Sequence, residues 1–243
     1  KINLLRKAIT HVVNTHERLR TYGTVKGEQL LEIIEPKVSL DIPLIDHSQY
    51  PLKSALARAR MVFEKDCIKN LSMRDAPMID VKLIKVNGQK HVLSLVIQHA
   101  VADGHSVEML YRQTSDAYNE LLENKPISLK KPKLSYRQYE TSLEKWLNRG
   151  HETRIKNFWK QQLRGLKPIP YPFLLKRLPA HIQWNVFDHY DFIPEWAKHI
   201  QTFARDHKIT PFLFFTTVIK MMIGRYTNEM DSYALTALDN RSG

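Results

Sequence analysis

The sequence is poor in cysteine and glycine and has no long apolar run. Of its 243 residues, one is cysteine and 8 are glycine. The single Cys67 excludes an internal disulfide, which fits a reducing cytoplasm. No stretch reaches the roughly 20 apolar residues that a membrane-spanning helix needs, and no signal-peptide pattern opens the chain. With 43% hydrophobic and 26% charged residues, the composition predicts a folded cytoplasmic protein.

Acidic residues are outnumbered by basic residues, and the formal net charge is +12. Such a balance favours anionic partners, which are nucleic acids, acidic membrane surfaces or acidic proteins. The basic residues are densest over 125–133 and 156–176, but neither stretch matches a nucleic-acid motif. Two interpretations remain open, a solvated basic surface and a docking face for an acidic protein.

The hydrophobic pattern predicts a mixed α/β chain with two β-hairpins. We expect the first at 21–26 and 29–34, turning at Lys26-Gly27, and the second at 78–86 and 91–97, turning at Asn87-Gly88. The last of these strands is almost continuously apolar, which favours an interior strand covered on both faces. Periodic apolar residues predict helices at 1–15, 55–66, 136–147, 151–163 and 211–226, another after Gly104 with Ser106 as its N-cap, and one that Pro194 opens.

A proline-rich stretch divides the chain. Four prolines between Pro168 and Pro179 predict a linker over 165–183, between an N-terminal lobe (1–164) and a second lobe (184–243) with strands at 186–193 and 231–238. The chain has no initiator Met, and its first helical stripe begins without a capping residue. We therefore expect a fragment.

His99 lies where an apolar strand gives way to a loop. Such a junction suits a reactive residue, because the strand fixes the backbone while the loop exposes the side chain. Imidazole exchanges protons near neutral pH, which suits acyl transfer to an amine or a hydroxyl. Asp103 could orient the ring or form a structural ion pair, and Gly104 could bring a backbone N–H close to a substrate oxygen. On spacing alone, a structural histidine is the stronger interpretation.

Several segments that follow one another in a particular order favour the catalytic interpretation of His99 over the structural one. His99-x-x-x-Asp103-Gly104-x-Ser106 after an apolar strand resembles the His-His-x-x-x-Asp-Gly core motif of nonribosomal peptide synthetase condensation domains. Further segments resemble that family in the same order: His16-Glu17-Arg18-Leu19-Arg20-Thr21, the stretch 71–78 before the Asn-Gly hairpin, Tyr136 to Tyr139, Phe158-Trp159 to Leu163, and Thr236 to Arg241. Together they cover nearly the whole chain.

The resemblance implies a chloramphenicol acetyltransferase-like fold, with two lobes in a V and a tunnel between them, one lobe nearly complete and the second only begun. It implies amide-bond formation between an acyl donor and an amine acceptor, each carried on the phosphopantetheine of a carrier protein that is typically acidic. No directly bound cofactor is implied. His99 and Gly104 match the family's catalytic positions, while Asp103 matches a structural aspartate that pairs with an arginine, for which Arg20 is the candidate. Gln98 and Ser106 complete the supporting residues.

Two departures leave alternatives open. Gln98 stands where the family has its first motif histidine, although glutamine can also donate and accept hydrogen bonds. The chain also lacks the family's opening segment and most of its second lobe, as a fragment truncated at both ends would. The alternatives are a stand-alone acyltransferase that uses acyl-coenzyme A, and a non-catalytic relative that docks carrier proteins.

The histidines do not indicate a metal centre. The separations of His11 from His16 and of His99 from His105 match no zinc-binding spacing. Surface or structural roles are the better interpretation for the histidines other than His99.

Overall fold

A computed structural model describes residues 1–68, 71–166 and 193–229, together with 231, 233 and 236. The chain divides into two compact units, Lys1–Arg149 and Gly150–Gly243. This boundary comes earlier in the chain than the predicted one at 164. The predicted linker over 165–183 and the predicted strands at 186–193 and 231–238 fall almost entirely outside the described residues and stay predictions.

The first unit contains two small sheets and four helices. The described strands are β1 (Thr21–Lys26), β2 (Gln29–Ile34), β3 (Leu44–Asp46), β4 (Ile79–Lys85) and β5 (His91–Ile97). Its α-helices are α1 (Ile2–Thr15), α2 (Leu52–Ile68), α3 (Gly104–Leu122) and α4 (Tyr136–Trp146), and a 3-10 turn follows α1 at Glu17–Arg20. Strands β1 and β2 form an antiparallel hairpin, while β3 runs parallel and β5 antiparallel to the central β4.

Strand β4 is covered on both faces. Ile79, Val81 and Leu83 pack into the cluster formed with α1 and α3, whereas Ile84 and Val86 belong to a second cluster with Ala55 and Ala59 of α2. Alternating residues of one strand thus contact helices on opposite sides of the sheet. The prediction that β5 is covered on both faces is confirmed, because Leu93 and Leu95 pack against the first cluster and Val92 against the second. Its predicted interior position is not found within the described residues, where β5 lies at the edge of the three-stranded sheet.

An ion cluster lies between α2 and the sheet. Lys82 of β4 pairs with Asp66 of α2 at 2.5 Å and with Asp80 at 3.2 Å. The buried face of α2 carries Ala55, Ala59 and Asp66. The large apolar side chains of Leu56 and Phe63 on the same helix are exposed.

Both predicted hairpins form, with different turns. In the first, Gly27 has a φ of 64°, a left-handed conformation that favours glycine, and Lys26 pairs with Gln29. In the second, Val86 N–H donates to the Lys90 carbonyl at 3.0 Å. The Asn87 side chain accepts from the backbone N–H groups of Gln89 and Lys90 at 2.9 and 2.7 Å. This side-chain bonding makes the second loop longer than the predicted two-residue turn.

The second unit contains α5 (Glu152–Gln162), α6 (Pro194–Asp206) and α7 (Pro211–Thr227). A π-helical turn at Leu147–His151 precedes α5 in the chain. The predicted helix starts are confirmed, because Pro194 opens α6, and the Thr210 hydroxyl caps α7 by accepting from Leu213 N–H at 3.1 Å. None of the helices described has the length and apolar character needed to cross a membrane.

Candidate active site

The peptide that follows β5 turns sharply and exposes His99. Gln98 N–H still donates to the Met78 carbonyl at 3.0 Å, which extends the pairing with β4 by one residue, and Val101 N–H then donates back to the Gln98 carbonyl at 3.0 Å. His99 and Ala100 occupy the tip of this turn and are exposed. The strand therefore fixes the backbone on one side of His99 and leaves its imidazole accessible, as the sequence predicted.

Gln98 holds the turn with both ends of its side-chain amide. Its Nε2 donates to the Leu71 carbonyl at 3.2 Å, and its Oε1 accepts from His99 N–H at 3.0 Å. One contact ties the turn to the segment before β4, and the other fixes the peptide of the candidate catalytic residue. Both contacts therefore hold backbone groups around His99.

Helix α3 begins directly after the turn, and Asp103 is its N-cap. The Asp103 carboxylate accepts from Ser106 N–H at 2.8 Å and from the Ser106 hydroxyl at 2.6 Å. The prediction of Ser106 as N-cap is thus wrong by three positions, because the longer carboxylate reaches the first turn from outside the helix. Gly104 is the first residue of α3 and is exposed, and a Cβ built on it would meet no atom within 4 Å.

Arg20 is not the ion-pair partner of Asp103. The Arg20 side chain is buried, with 4% of the residue exposed, and its Nη1 donates to the backbone carbonyl of Glu35. Within the described residues, Arg20 Nε has no hydrogen-bond partner. The predicted pairing of these two side chains is therefore not formed, and Arg20 supports the backbone after β2 instead.

Arg18 takes a role that the sequence did not predict. Its Nη2 donates to the Ala100 carbonyl at 3.2 Å, and its Nη1 lies 2.9 Å from both carboxylate oxygens of Glu32 on β2. The guanidinium also stacks over the ring of Tyr136 on α4, 4.3 Å from the centroid. One side chain thus joins the turn that carries His99 to β2 and α4. The sequence offered one signal for this role, because Arg18 lies two residues before Arg20 in the segment that resembles the family.

A cleft of about 470 Å³ opens beside this turn. Ala100 and Val101 line one side of it, the β1–β2 hairpin lines another, and the segment that contains Met73 and Met78 lines a third. Arg18 and Glu32 lie at the cleft as well. Its size is that of a small-molecule site, which typically spans ~300–1,000 Å³.

The phenol of Tyr22, which also lines the cleft, is held neutral. Desolvation raises the pKa of Tyr22, and the nearby carboxylates of Glu35 and Asp75 raise it further. Arg18 and Glu32 form an ion pair at the cleft, and Arg74, another lining residue, adds a positive charge there.

The arrangement offers an acid–base group beside an accessible cavity. His99 is exposed and makes no side-chain hydrogen bond to the residues that the structure describes, and its neighbour Ala100 lines the cleft. The same described ranges contain no group of three or more histidine, cysteine, aspartate or glutamate side chains able to hold a metal ion.

Comparisons with known proteins identify the family. The family model for the condensation domain matches residues 1–243. The chain is 25% identical over 239 residues to chondramide synthase cmdD of Chondromyces crocatus, covering 98% of this chain and 6% of that protein. It is 27% identical over 247 residues to the nonribosomal peptide synthetase TES of Alternaria alternata, covering 98% of this chain and 5% of that protein.

Solved structures share the fold. The SgcC5 protein from Streptomyces globisporus superposes with a TM-score of 0.77 at 21% identity, over 95% of this chain and 52% of that one. The first condensation domain of the CDA synthetase gives a TM-score of 0.61 at 15% identity, over 70% of this chain and 43% of that one. The chain thus spans a small part of its curated relatives and about half of the SgcC5 chain. Its α/β fold is the predicted one, and the chain belongs to the condensation domain family.

Proposed function

We propose that the chain contributes the catalytic histidine of an amide-forming acyltransferase. The observation that carries this proposal is the exposed His99, which lies at the tip of a turn fixed by Gln98 and Arg18 and beside a cleft of about 470 Å³. An acyl-transfer site needs an acid–base group at a fixed position next to space for substrate, and the turn with the adjoining cleft supports both.

The reaction joins an amine to a thioester carbonyl. The amine nitrogen of the acceptor attacks the thioester carbon of the donor, a C–N bond forms, the C–S bond breaks, and the thiol leaves. His99 either accepts the proton that the amine loses or positions that amine and stabilises the tetrahedral intermediate. Gly104 opens α3 beside the site, where a backbone N–H at a helix N-terminus favours developing negative charge on oxygen.

The proposed substrates are held as thioesters on the phosphopantetheine arms of carrier proteins. No directly bound cofactor is needed for this chemistry, and the process belongs in the cytoplasm among the neighbouring domains of a synthetase. The net charge of +12 supports docking of carrier proteins that are acidic, because opposite surface charges steer association.

Replacement of His99 tests the proposal. Leucyl and phenylalanyl thioesters on a phosphopantetheinylated carrier protein serve as donors and acceptors, and mass spectrometry detects the amide. We expect His99→Ala to lower the rate by ~10²–10⁴-fold, the usual contribution of an acid–base group. His91→Ala, which removes an exposed histidine at the opposite end of β5, is the matched control and should keep wild-type turnover. Equal turnover by the folded His99→Ala variant would remove the catalytic assignment.

A further inference from the structure

We propose that the cleft beside the His99 turn binds the apolar chain of one thioester substrate and measures its length. The inference rests on the proposed function and names the substrate class for the same site. The chain in question is a hydrocarbon chain of a few carbons, carried either by the acyl donor or by the side chain of the acceptor amino acid.

The walls of the cleft are hydrogen-bonded to one another around the reactive turn. Gly23 N–H of β1 donates to the Met73 carbonyl at 2.8 Å, so the hairpin and the segment before β4 are joined. The Gln98 side chain donates to the Leu71 carbonyl, which joins that segment to the His99 turn. Because Ala100 lines the cleft, a group bound there lies beside the turn that carries His99.

The cleft exposes large apolar side chains that a folded domain normally buries. Val25 is 65% exposed, Leu30 76% and Met73 53%, and all three line the cleft with Met78 and Val101. Exposed apolar groups that converge on one concavity mark a binding site, whereas scattered ones carry no such meaning. Arg18 and Glu32 at the same cleft are paired with each other, whereas Arg74, which also lines it, forms no ion pair within the described residues. The apolar lining, and not charge, therefore favours a hydrocarbon chain.

Gly23 keeps part of this space open. A Cβ added there would meet Leu30 Cδ1 at 3.7 Å and the Met73 carbonyl oxygen at 3.6 Å, both ordinary contact distances with residues that line the cleft. An alanine therefore fits the backbone at this position, and the larger side chain of a valine takes up more of the cavity. The same reasoning makes Met73→Ala an enlargement, since the Met73 side chain is exposed in the cleft.

Chain-length profiles of the full chain test the inference. One series varies linear donor acyl chains from about two to ten carbons with a fixed acceptor, and a second varies the acceptor side chain with a fixed donor. We expect kcat/KM in one series to rise about fourfold per methylene, from the burial of each CH₂ group, up to a maximum length. That series identifies the substrate that the cleft holds.

Substitutions in the cleft should change the chain length at which kcat/KM is greatest. Gly23→Ala is expected to lower kcat/KM about fourfold for the longest chains and Gly23→Val at least tenfold, with short chains unaffected, while Met73→Ala should extend the maximum. Gly88→Ala is the matched control, because it makes the same change in the other hairpin where a Cβ meets open space. Wild-type profiles in all cleft variants, or no length dependence in either series, would overturn the inference.

A binding measurement separates this inference from the proposed function. Hydrolysis-resistant pantetheine amides with the same chains are titrated calorimetrically into the His99→Ala variant, with and without Gly23→Val. If wild-type protein forms no amide but affinity follows chain length and depends on Gly23, the catalytic proposal fails and the cleft assignment stands. If amide forms without any length dependence, the cleft assignment fails and the catalytic proposal stands.

Discussion

Arg18 is expected to position the His99 turn, and its removal should lower turnover more than stability. The guanidinium makes three kinds of contact at once, to the Ala100 carbonyl, to the carboxylate of Glu32 and to the face of Tyr136. Alanine at this position deletes all of them and leaves the peptide after His99 without that restraint. We therefore predict that Arg18→Ala lowers kcat.

The contacts set the magnitude of the effect. A hydrogen bond from a charged donor to a carbonyl contributes about 1.5–3 kcal/mol. The partly exposed ion pair with Glu32 adds about 0.2–1 kcal/mol, and the cation–π contact about 0.5–1 kcal/mol. Such terms do not add in full, and we expect a net loss of about 1–2 kcal/mol in the free energy of unfolding. A displacement of ~1 Å at a reacting group costs ~10²-fold in rate, which is the expected loss in kcat.

The assay compares three variants by denaturant unfolding and by steady-state kinetics. Arg18→Lys retains the charge but lacks the planar fork, so it should recover stability more than kcat. Arg60→Ala is the matched control, since Arg60 forms an exposed ion pair with Glu64 on α2. If Arg18→Ala kept the wild-type kcat, or if Arg60→Ala lowered kcat by as much as Arg18→Ala, the positioning role would be refuted.

Three other predictions follow from contacts outside the cleft. Ser128 donates two hydrogen bonds to Glu120, and these bonds hold the pKa of the Glu120 carboxyl below its usual range. The bonds therefore stabilise the folded state at pH values above the unfolded-state pKa, and this stabilisation is lost as the pH falls through the lower folded-state pKa. Ser128→Ala should therefore be less stable than wild type at pH 7 and equal to it in acid, as denaturant titrations between about pH 7 and 3 would register; a gap that persists in acid contradicts this reasoning. Lys82→Met leaves the buried carboxylate of Asp66 on α2 unpaired and should lower the free energy of unfolding by about 2–3 kcal/mol. Lys85→Met breaks a more exposed pair on the same strand and should lower it by less than about 1 kcal/mol. Equal losses of stability in the two variants would contradict the stronger contribution of the buried pair. Gln98→Ala removes both amide contacts and should reduce kcat at least about tenfold with the circular dichroism spectrum unchanged, and an unaltered kcat would show that the turn needs no such support.

Local patterns explain why the helices and hairpins could be predicted. The first hairpin forms at 21–26 and 29–34, where alternation and the Gly27 turn specify it within a few residues of chain. Thr210-Pro211 and Pro194 fix the starts of α7 and α6 through capping and a preset φ. His99 was placed correctly at a strand end, because an apolar run that stops abruptly at a polar residue is also a local signal.

Contacts between distant segments could not be predicted in this way. The alternation of Asp80 and Lys82 with apolar residues is typical of a strand with one solvated face, yet Lys82 meets Asp66 from a helix earlier in the chain. β4, rather than the more apolar β5, occupies the centre of the described sheet, because both β3 and β5 pair with it. The choice between Arg18 and Arg20 as the arginine that contacts the motif turn likewise depends on tertiary geometry.

Gln98 limits the proton chemistry of the motif without removing its structure. The amide contacts two backbone groups, the Leu71 carbonyl and His99 N–H, and so fixes the turn by a means that needs no ring. An amide does not titrate near neutral pH, whereas a histidine at this position would. Under the proposed function, Gln98 therefore does not carry the proton of the acyl transfer, which leaves His99 and His105 within the stretch 98–105. We assign that proton to His99, because its neighbour Ala100 lines the cleft.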